Sequence, residues 1–249
     1  MPPSVFTRGC FERPIPMSIA SRSIFSASEE ASLTDRAYRE LEELIVTLKL
    51  PPGQVLSESG IAKHLGIGRT PVREALQQLA REGLVAILPR RGVIVSEINV
   101  RNQLELLKVR REVERLMARL AADRATPHEL REFAEIAAAM RQSAEANDDI
   151  AFMRLDQQLN HALAATCRND YARRAMGLMQ GLSRRFWYMH YKQVLDLPKC
   201  ARLHADLAAA IGEGRAAEAG AASDRLIDYL ESFTRASLDM RLPGDRQGE

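Results

Sequence analysis

Residues 57–92 read SESGIAKHLGIGRTPVREALQQLAREGLVAILPRRG, and this stretch decides the fold of the first part of the chain. Ser57 is a good N-cap for a short helix that carries Ile61, Ala62 and Leu65 inward and stops at Gly66. A second helix opens around Arg69-Thr70-Pro71. Proline suits a first helical turn, because its missing N–H would have no partner there anyway. In this helix Val72, Ala75, Leu76, Leu79 and Ala80 follow the i, i+3, i+4, i+7 spacing of a core-facing stripe. The opposite face carries Thr70, Arg73 and Gln77, with Arg69 at the entrance. Side chains of those types hydrogen-bond base edges and phosphates. Residues 84–88 and 93–96 flank Pro89-Arg90-Arg91-Gly92 and read as a two-stranded wing with a basic tip. Upstream, residues 33–48 form a helix with Ala37, Leu41, Leu44, Ile45 and Leu48 on one stripe, stopped by Pro51-Pro52-Gly53.

Charge is focused on the same unit. The 249-residue chain has a net charge of only +2, so nothing global demands a polyanionic partner. Between residues 61 and 92, however, Lys63, Arg69, Arg73, Arg81, Arg90 and Arg91 face only Glu74 and Glu82, a local net charge of +4. That field marks one surface for nucleic acid. The alternative is a small helical domain whose arginines are merely solvated, and the helix–turn–helix plus wing pattern favours DNA.

From about residue 99 the grammar changes. Residues 99–249 hold 27 alanines but only 4 valines, 4 isoleucines and 3 threonines, so this half is read as all helical. Breaks at Thr126-Pro127, Asn147-Asp148, Arg168-Asn169-Asp170, Leu197-Pro198 and Gly212-Glu213-Gly214 divide it into six or seven helices. The expected organisation is a tail at 1–30, a winged helix–turn–helix at 31–98, an all-α antiparallel bundle at 99–242 and a tail at 243–249. No Gly/Ser linker separates the halves near residues 96–100, which implies close coupling. Three scattered cysteines without a CxxC pair fit a reducing cytoplasm. No apolar run reaches the roughly 20 residues of a membrane span, so no membrane partner is expected.

The segment GIGRTPVREALQQLAREGLVAILPRRGVIV, residues 66–95, resembles the winged helix–turn–helix signature of the GntR family of bacterial transcriptional regulators. The resemblance implies DNA contacts from Arg69, Thr70 and Arg73 and from the wing tip at Arg91 and Gly92; Gly68 at the N-cap and Gln77 on the polar face complete the expected DNA-binding set. The family usually has Ser or Thr at the position of Gly68, so one hydroxyl contact to phosphate is missing. It further implies a homodimer on palindromic operator DNA.

The helical half is too short for an aminotransferase-like domain and lacks the strands of an α/β effector domain. LLKVRREVERLMARLAA (106–122), LDQQLNHALAATCRND (155–170) and RLHADLAAAIGEGRAAEAGAASDRLI (202–227) are similar to segments of the FCD domain of the FadR-like branch. Many FCD domains hold a divalent metal through one aspartate and three histidines. On that pattern Asp156 takes the aspartate place and His204 the second histidine place, while Asn160 and Leu226 stand where the first and third histidines belong. His161 lies about 100° round the helix from Asn160 and is a poor substitute. Asp224 and Asp228 enter only if the register shifts by two. Two intact ligands and an amide oxygen make a weak transition-metal site. The expectation is therefore no certain cofactor, with a metal at Asp156 and His204 as the disfavoured alternative.

The resemblance then implies a pocket that binds its effector directly, through Arg110, Asp156, Asn160 and His204. Arg110 is a natural clamp for a carboxylate, and the alternative is a surface arginine paired with Glu114 at i+4. The aromatic run SRRFWYMHY (183–191) reads as core packing, a dimer interface or an aromatic wall for a cyclic effector. The preferred function is a sequence-specific transcriptional regulator, a repressor relieved by a small carboxylic metabolite. It is set against a bundle enzyme built on Asp156, Asn160 and His204, and against a ligand-independent architectural DNA binder. No Ser/His/Asp or Cys/His constellation supports the enzyme.

Overall fold

The computed structural model describes residues 32–88, 92–194 and 196–239. The wing-tip residues Pro89, Arg90 and Arg91, the segments 1–30 and 243–249 and Cys10 lie outside the described residues.

Helix α1 spans Leu33–Val46 and opens with a capping box between Ser32 and Asp35. It buries Ala37, Leu41, Ile45 and Val46. It ends two residues before the expected Leu48, whose φ of +59° turns the chain out of the helix. The Leu50 N–H then bonds the Leu44 carbonyl, closing the last turn. No glycine marks that turn, so periodicity alone overran it. After β1 (Val55–Leu56), α2 (Glu58–Leu65) is capped by Ser57, which accepts from the Gly60 N–H, and stops at left-handed Gly66. Helix α3 (Arg69–Arg81) follows with Gly68 at its N-cap, and Val72, Ala75, Leu76 and Leu79 are fully buried.

Strands β2 (Val85–Leu88) and β3 (Gly92–Val95) form the wing. The sheet has three strands rather than the two expected, in the order β1-β3-β2, all antiparallel. β1 pairs Leu56 with Val93, and two residues between a proline turn and a helix cap are too few to show a period.

Six helices make the second half: α4 (Val100–Arg124), α5 (Pro127–Ala146), α6 (Asp149–Thr166), α7 (Asp170–Val194), α8 (Leu197–Gly212) and α9 (Ala216–Asp239). Polar caps start five of them: Asn99, Thr126 in a capping box with Glu129, Asp148, Asn169 and Asp196. The main pairs are α5 on α8 and α4 on α9, around Met117, Phe133, Ile136, Met140, Leu207 and Ile211. Each such side chain contributes about 2 kcal/mol of transfer free energy. On the outer side of the α4–α9 seam, Arg111 bonds Asp228 at 2.6 Å and Arg115 bonds Asp224 at 3.4 Å. These aspartates face the surface pairs, and Leu226 is in the bundle core. Among the described residues no helix is long and apolar enough to cross a membrane.

The winged unit is held to the bundle by α7, not only by the short connection at residues 96–99. Leu182 packs against the winged-helix core. Gly181 permits the close approach: a Cβ there would meet Leu84 Cδ1 at 2.8 Å. Arg184 donates to Glu42 of α1 at 2.9 Å. Arg185, only 2% exposed, donates to the Ser96 carbonyl at 2.9 Å, to Glu97 at 3.4 Å and to Leu84 at 3.5 Å.

Candidate functional site

Two candidate sites emerge, one on α3 and one inside the bundle. Because Val72, Leu76 and Leu79 lock one side of α3 onto α1, the side chains of Arg69, Thr70, Arg73 and Gln77 stand exposed on the other. Gly68 caps the helix without a side-chain hydrogen bond. The two acids of this segment turn back towards α1: Glu74 accepts from Thr34 at 2.7 Å, and Glu82 from Tyr38 at 2.8 Å. Their charge is thereby drawn away from the arginine face. Arg73 is held by Glu58 of α2 through Nε and Nη2, the latter at 2.9 Å, and these bonds keep the guanidinium firmly protonated. Glu58 was not foreseen from the sequence; it lies just before the basic stretch, at the start of the helix preceding α3. Gly92 is exposed at the start of β3 with φ +94°, and a Cβ there would meet the Leu56 carbonyl at 3.0 Å. The strand pairing itself therefore requires glycine at this position, in addition to any close approach to DNA. Arg91 lies outside the described residues.

Arg110, Asp156, Asn160 and His204, from three different helices, line one cavity. The cavity volume is about 90 Å³, room for several waters or one small organic acid. Phe152, Phe186, Trp187 and Phe233 supply apolar wall, so the aromatic run is in part a cavity wall. Trp187 stacks on Tyr191 at 4.5 Å, and Phe152 sets its edge against His204 at 5.2 Å.

Arg110 is 7% exposed and bonds the buried Glu114 at 2.6 Å. It is thus both paired and internal, which the surface alternative did not allow. Burial opposes its charge, and Glu114 more than restores it. His204 places Nε2 3.3 Å from Asp156 Oδ1 and Nδ1 2.9 Å from the Cys200 carbonyl oxygen. Both ring nitrogens therefore face acceptors, a geometry that only imidazolium satisfies with two N–H donors. Burial disfavours that charge, but the Cys200 sulfur and the Asp156 carboxylate outweigh it and raise the His204 pKa well above 6.5. Burial likewise pushes Asp156 up, and His204 with the nearby arginines brings it below 3.8.

His204 therefore stabilises the fold fully below its unfolded value near 6.5, and loses that contribution as pH climbs through its raised folded value. Asp156 contributes fully above 3.8 and loses its share as pH falls through its lowered value. Asp156→Asn is expected to move the His204 ring titration, followed by NMR, to lower pH, and to flatten the decline of the urea midpoint above about pH 6.5. An unchanged ring titration would remove Asp156 as the partner.

The three residues do not fit a metal. The Asn160 amide nitrogen donates to Asp156 Oδ1 at 3.0 Å and to its carbonyl at 2.8 Å, so Asp156 is engaged by Asn160 and His204. Among the described residues no group of three His, Cys, Asp or Glu could hold an ion. His161 is exposed, away from the cavity.

Three wall residues gave no distinct signal in the sequence. Val46 and Thr47, at the end of α1, close part of the cavity from the winged-helix side. Ser183, 6% exposed, also lines it; its buried hydroxyl has no hydrogen-bond partner in the protein, and the Trp187 Nε1 is likewise unpartnered.

Comparison with known proteins bears on both sites. Residues 33–95 match the gntR family of bacterial regulatory proteins, and residues 105–229 match the FCD domain. An uncharacterized HTH-type transcriptional regulator of Streptomyces ambofaciens is 47% identical over 62 residues, covering 25% of this chain and 26% of the relative. The HTH-type transcriptional repressor RspR of Escherichia coli is 27% identical over 179 residues, 72% of this chain and 78% of its own length. The solved structure of E. coli McbR/YncC superposes with a TM-score of 0.69 at 21% identity, over 83% of this chain and 99% of that one. The winged helix–turn–helix, the bundle and these matches together place the chain in the GntR family of DNA-binding transcriptional regulators, in the group that carries an FCD domain.

Proposed function

We propose that the chain is a repressor that binds palindromic duplex DNA as a homodimer, through the Gly68, Arg69, Thr70, Arg73 and Gln77 face of α3 and the wing at Arg91 and Gly92. Release follows when a small carboxylic acid enters the cavity lined by Arg110, Asp156, Asn160 and His204. One observation carries this reading above the others: the polar face of α3 is exposed and rich in cations, with Glu74 and Glu82 drawn back to α1 and Glu58 left as the acid that holds Arg73. RspR, a relative, is described as a repressor. A dimer is favoured by exposed apolar pairs seven residues apart on two adjacent helices, Val109 with Leu116 on α4 and Tyr171 with Leu178 on α7.

The cavity favours an acid with an apolar body, because cations and orphan donors lie among aromatic rings. Binding shifts the dimer towards an arrangement whose reading helices miss successive major grooves. The test starts with a duplex selected from a random pool by the full chain. Carboxylic acids are then screened by thermal shift and by release of that duplex. At a hundredfold excess over Kd the effector is expected to raise Tm by about 5–10 °C and to weaken duplex binding at least tenfold. Acids that raise Tm yet leave duplex affinity untouched would reduce the cavity to a passive binding site.

A further inference from the structure

Three cations line the cavity, and two of them are neutralised within the bundle. Arg110 is paired with Glu114, and His204 with Asp156. Arg184 differs: its carboxylate partner, Glu42, belongs to α1 of the winged unit. The pair is largely withdrawn from water, the two side chains being 25% and 15% exposed. An incoming anion that takes Arg110 or His204 rearranges contacts inside the bundle alone. One that takes Arg184 removes a contact between the bundle and the DNA-reading half.

The surroundings of Arg184 are built for an anion. Ser183 is its neighbour and Trp187 lies one turn further along α7; both residues line the same cavity, and each carries a buried donor without a partner in the protein. A carboxylate that enters the cavity beside these residues comes within reach of the Arg184 guanidinium, and small side-chain rotations bring the two donors to it. Val46 and Thr47, the last residue and the C-cap of the helix that carries Glu42, line the same cavity. Glu42, once released, faces Glu82, whose proton affinity burial raises and Glu42 raises further.

We infer that Ser183, Arg184 and Trp187 form the anion seat of the cavity, and that a carboxylate bound there competes with Glu42 for Arg184, detaching α1 from α7. The inference rests on the reading that a small carboxylic acid is the effector, and it supplies the link by which that acid reaches the DNA-reading surface. By reciprocity, whatever weakens the Glu42–Arg184 pair strengthens acid binding.

The experiment compares the full-length wild type with Glu42→Gln and Arg184→Gln, using benzoate, phenylacetate and glutarate in calorimetry and benzamide as the uncharged control. The acid that binds wild type most tightly is expected to bind Glu42→Gln about tenfold tighter and Arg184→Gln at least tenfold weaker. Benzamide is expected to ignore the Glu42 change. Amide exchange at Thr47, Leu48 and Leu50 supplies a second readout. It is expected to be several-fold faster in acid-free Glu42→Gln than in acid-free wild type, and wild type is expected to reach the variant's rate when saturated with acid. Should Glu42→Gln fold poorly, Glu42→Asp keeps the charge but shortens its reach, and the same changes are expected at smaller size. Equal acid affinity in wild type and Glu42→Gln would overturn the competition while leaving the effector reading intact. No binding of any of the three acids to any of the three proteins would overturn both.

Discussion

Arg73→Ala is expected to lower affinity for the selected duplex about a hundredfold while leaving the melting temperature of the free protein unchanged. The side chain is on the solvent face of α3, and its ion pair with Glu58 is itself exposed, so folding does not lean on it. On DNA the position is different. A guanidinium reaching a guanine edge or a phosphate fork makes a charge-assisted contact that alanine cannot replace, and one good bidentate contact discriminates by about 1–3 kcal/mol. Glu58 adds to the effect, because its bonds to Nε and Nη2 hold the fork in one orientation before the encounter. The measurement is fluorescence anisotropy with the selected and a scrambled duplex at two salt concentrations. Specific affinity falls steeply, scrambled binding falls modestly, and the salt slope drops by about one ion if Arg73 touches phosphate. Unchanged specific affinity would remove Arg73 from the reading face, and with it the assignment of α3 as the reading helix.

The second large effect is expected from Arg185→Leu. Arg185 is buried between the winged unit and the bundle with three backbone carbonyls as its partners, and burial brings its pKa down to about 10 despite Glu97 nearby. Leucine relieves the burial of a charge, which is favourable. It also strands the carbonyls of Ser96 and Glu97 at the junction, where each lost hydrogen bond costs about 1–3 kcal/mol, while the Leu84 carbonyl keeps the Ser96 N–H. The second effect dominates, and a net loss of about 3 kcal/mol is expected, lowering Tm by about 6–12 °C. Calorimetry is expected to resolve the single transition into two, because the carbonyls lie on the winged side of the seam and the guanidinium on the bundle side. A variant as stable as wild type, melting in one step, would show that packing of Leu182 and Gly181 suffices to join the halves.

These outcomes bear on how much could be read without coordinates. The α3 stripe, the Ser57 cap, the Gly66 stop and each break between the later helices were legible, because they depend on residues within one or two turns of each other. The third strand was not legible, since Val55 and Leu56 become a strand only by pairing with Ile94 and Val93. Nor was the role of Arg185. An arginine in a helical run is by default solvated, and nothing near residue 185 tells that carbonyls from residues 84, 96 and 97 will surround it.

What the sequence by itself determined is therefore the set of helices with the two-stranded wing, the polar face of the reading helix and the family that the chain belongs to. All three are written in short-range spacing and in residue types. Only the tertiary structure decided which residues from α4, α6 and α8 share a cavity, that α1 closes part of it, and that α7 ties the two halves together. Periodicity states which face of a helix is buried but not what it is buried against. The partners of Arg184 and Arg185 lie about a hundred residues or more away along the chain, and only packing brings them within hydrogen-bond reach.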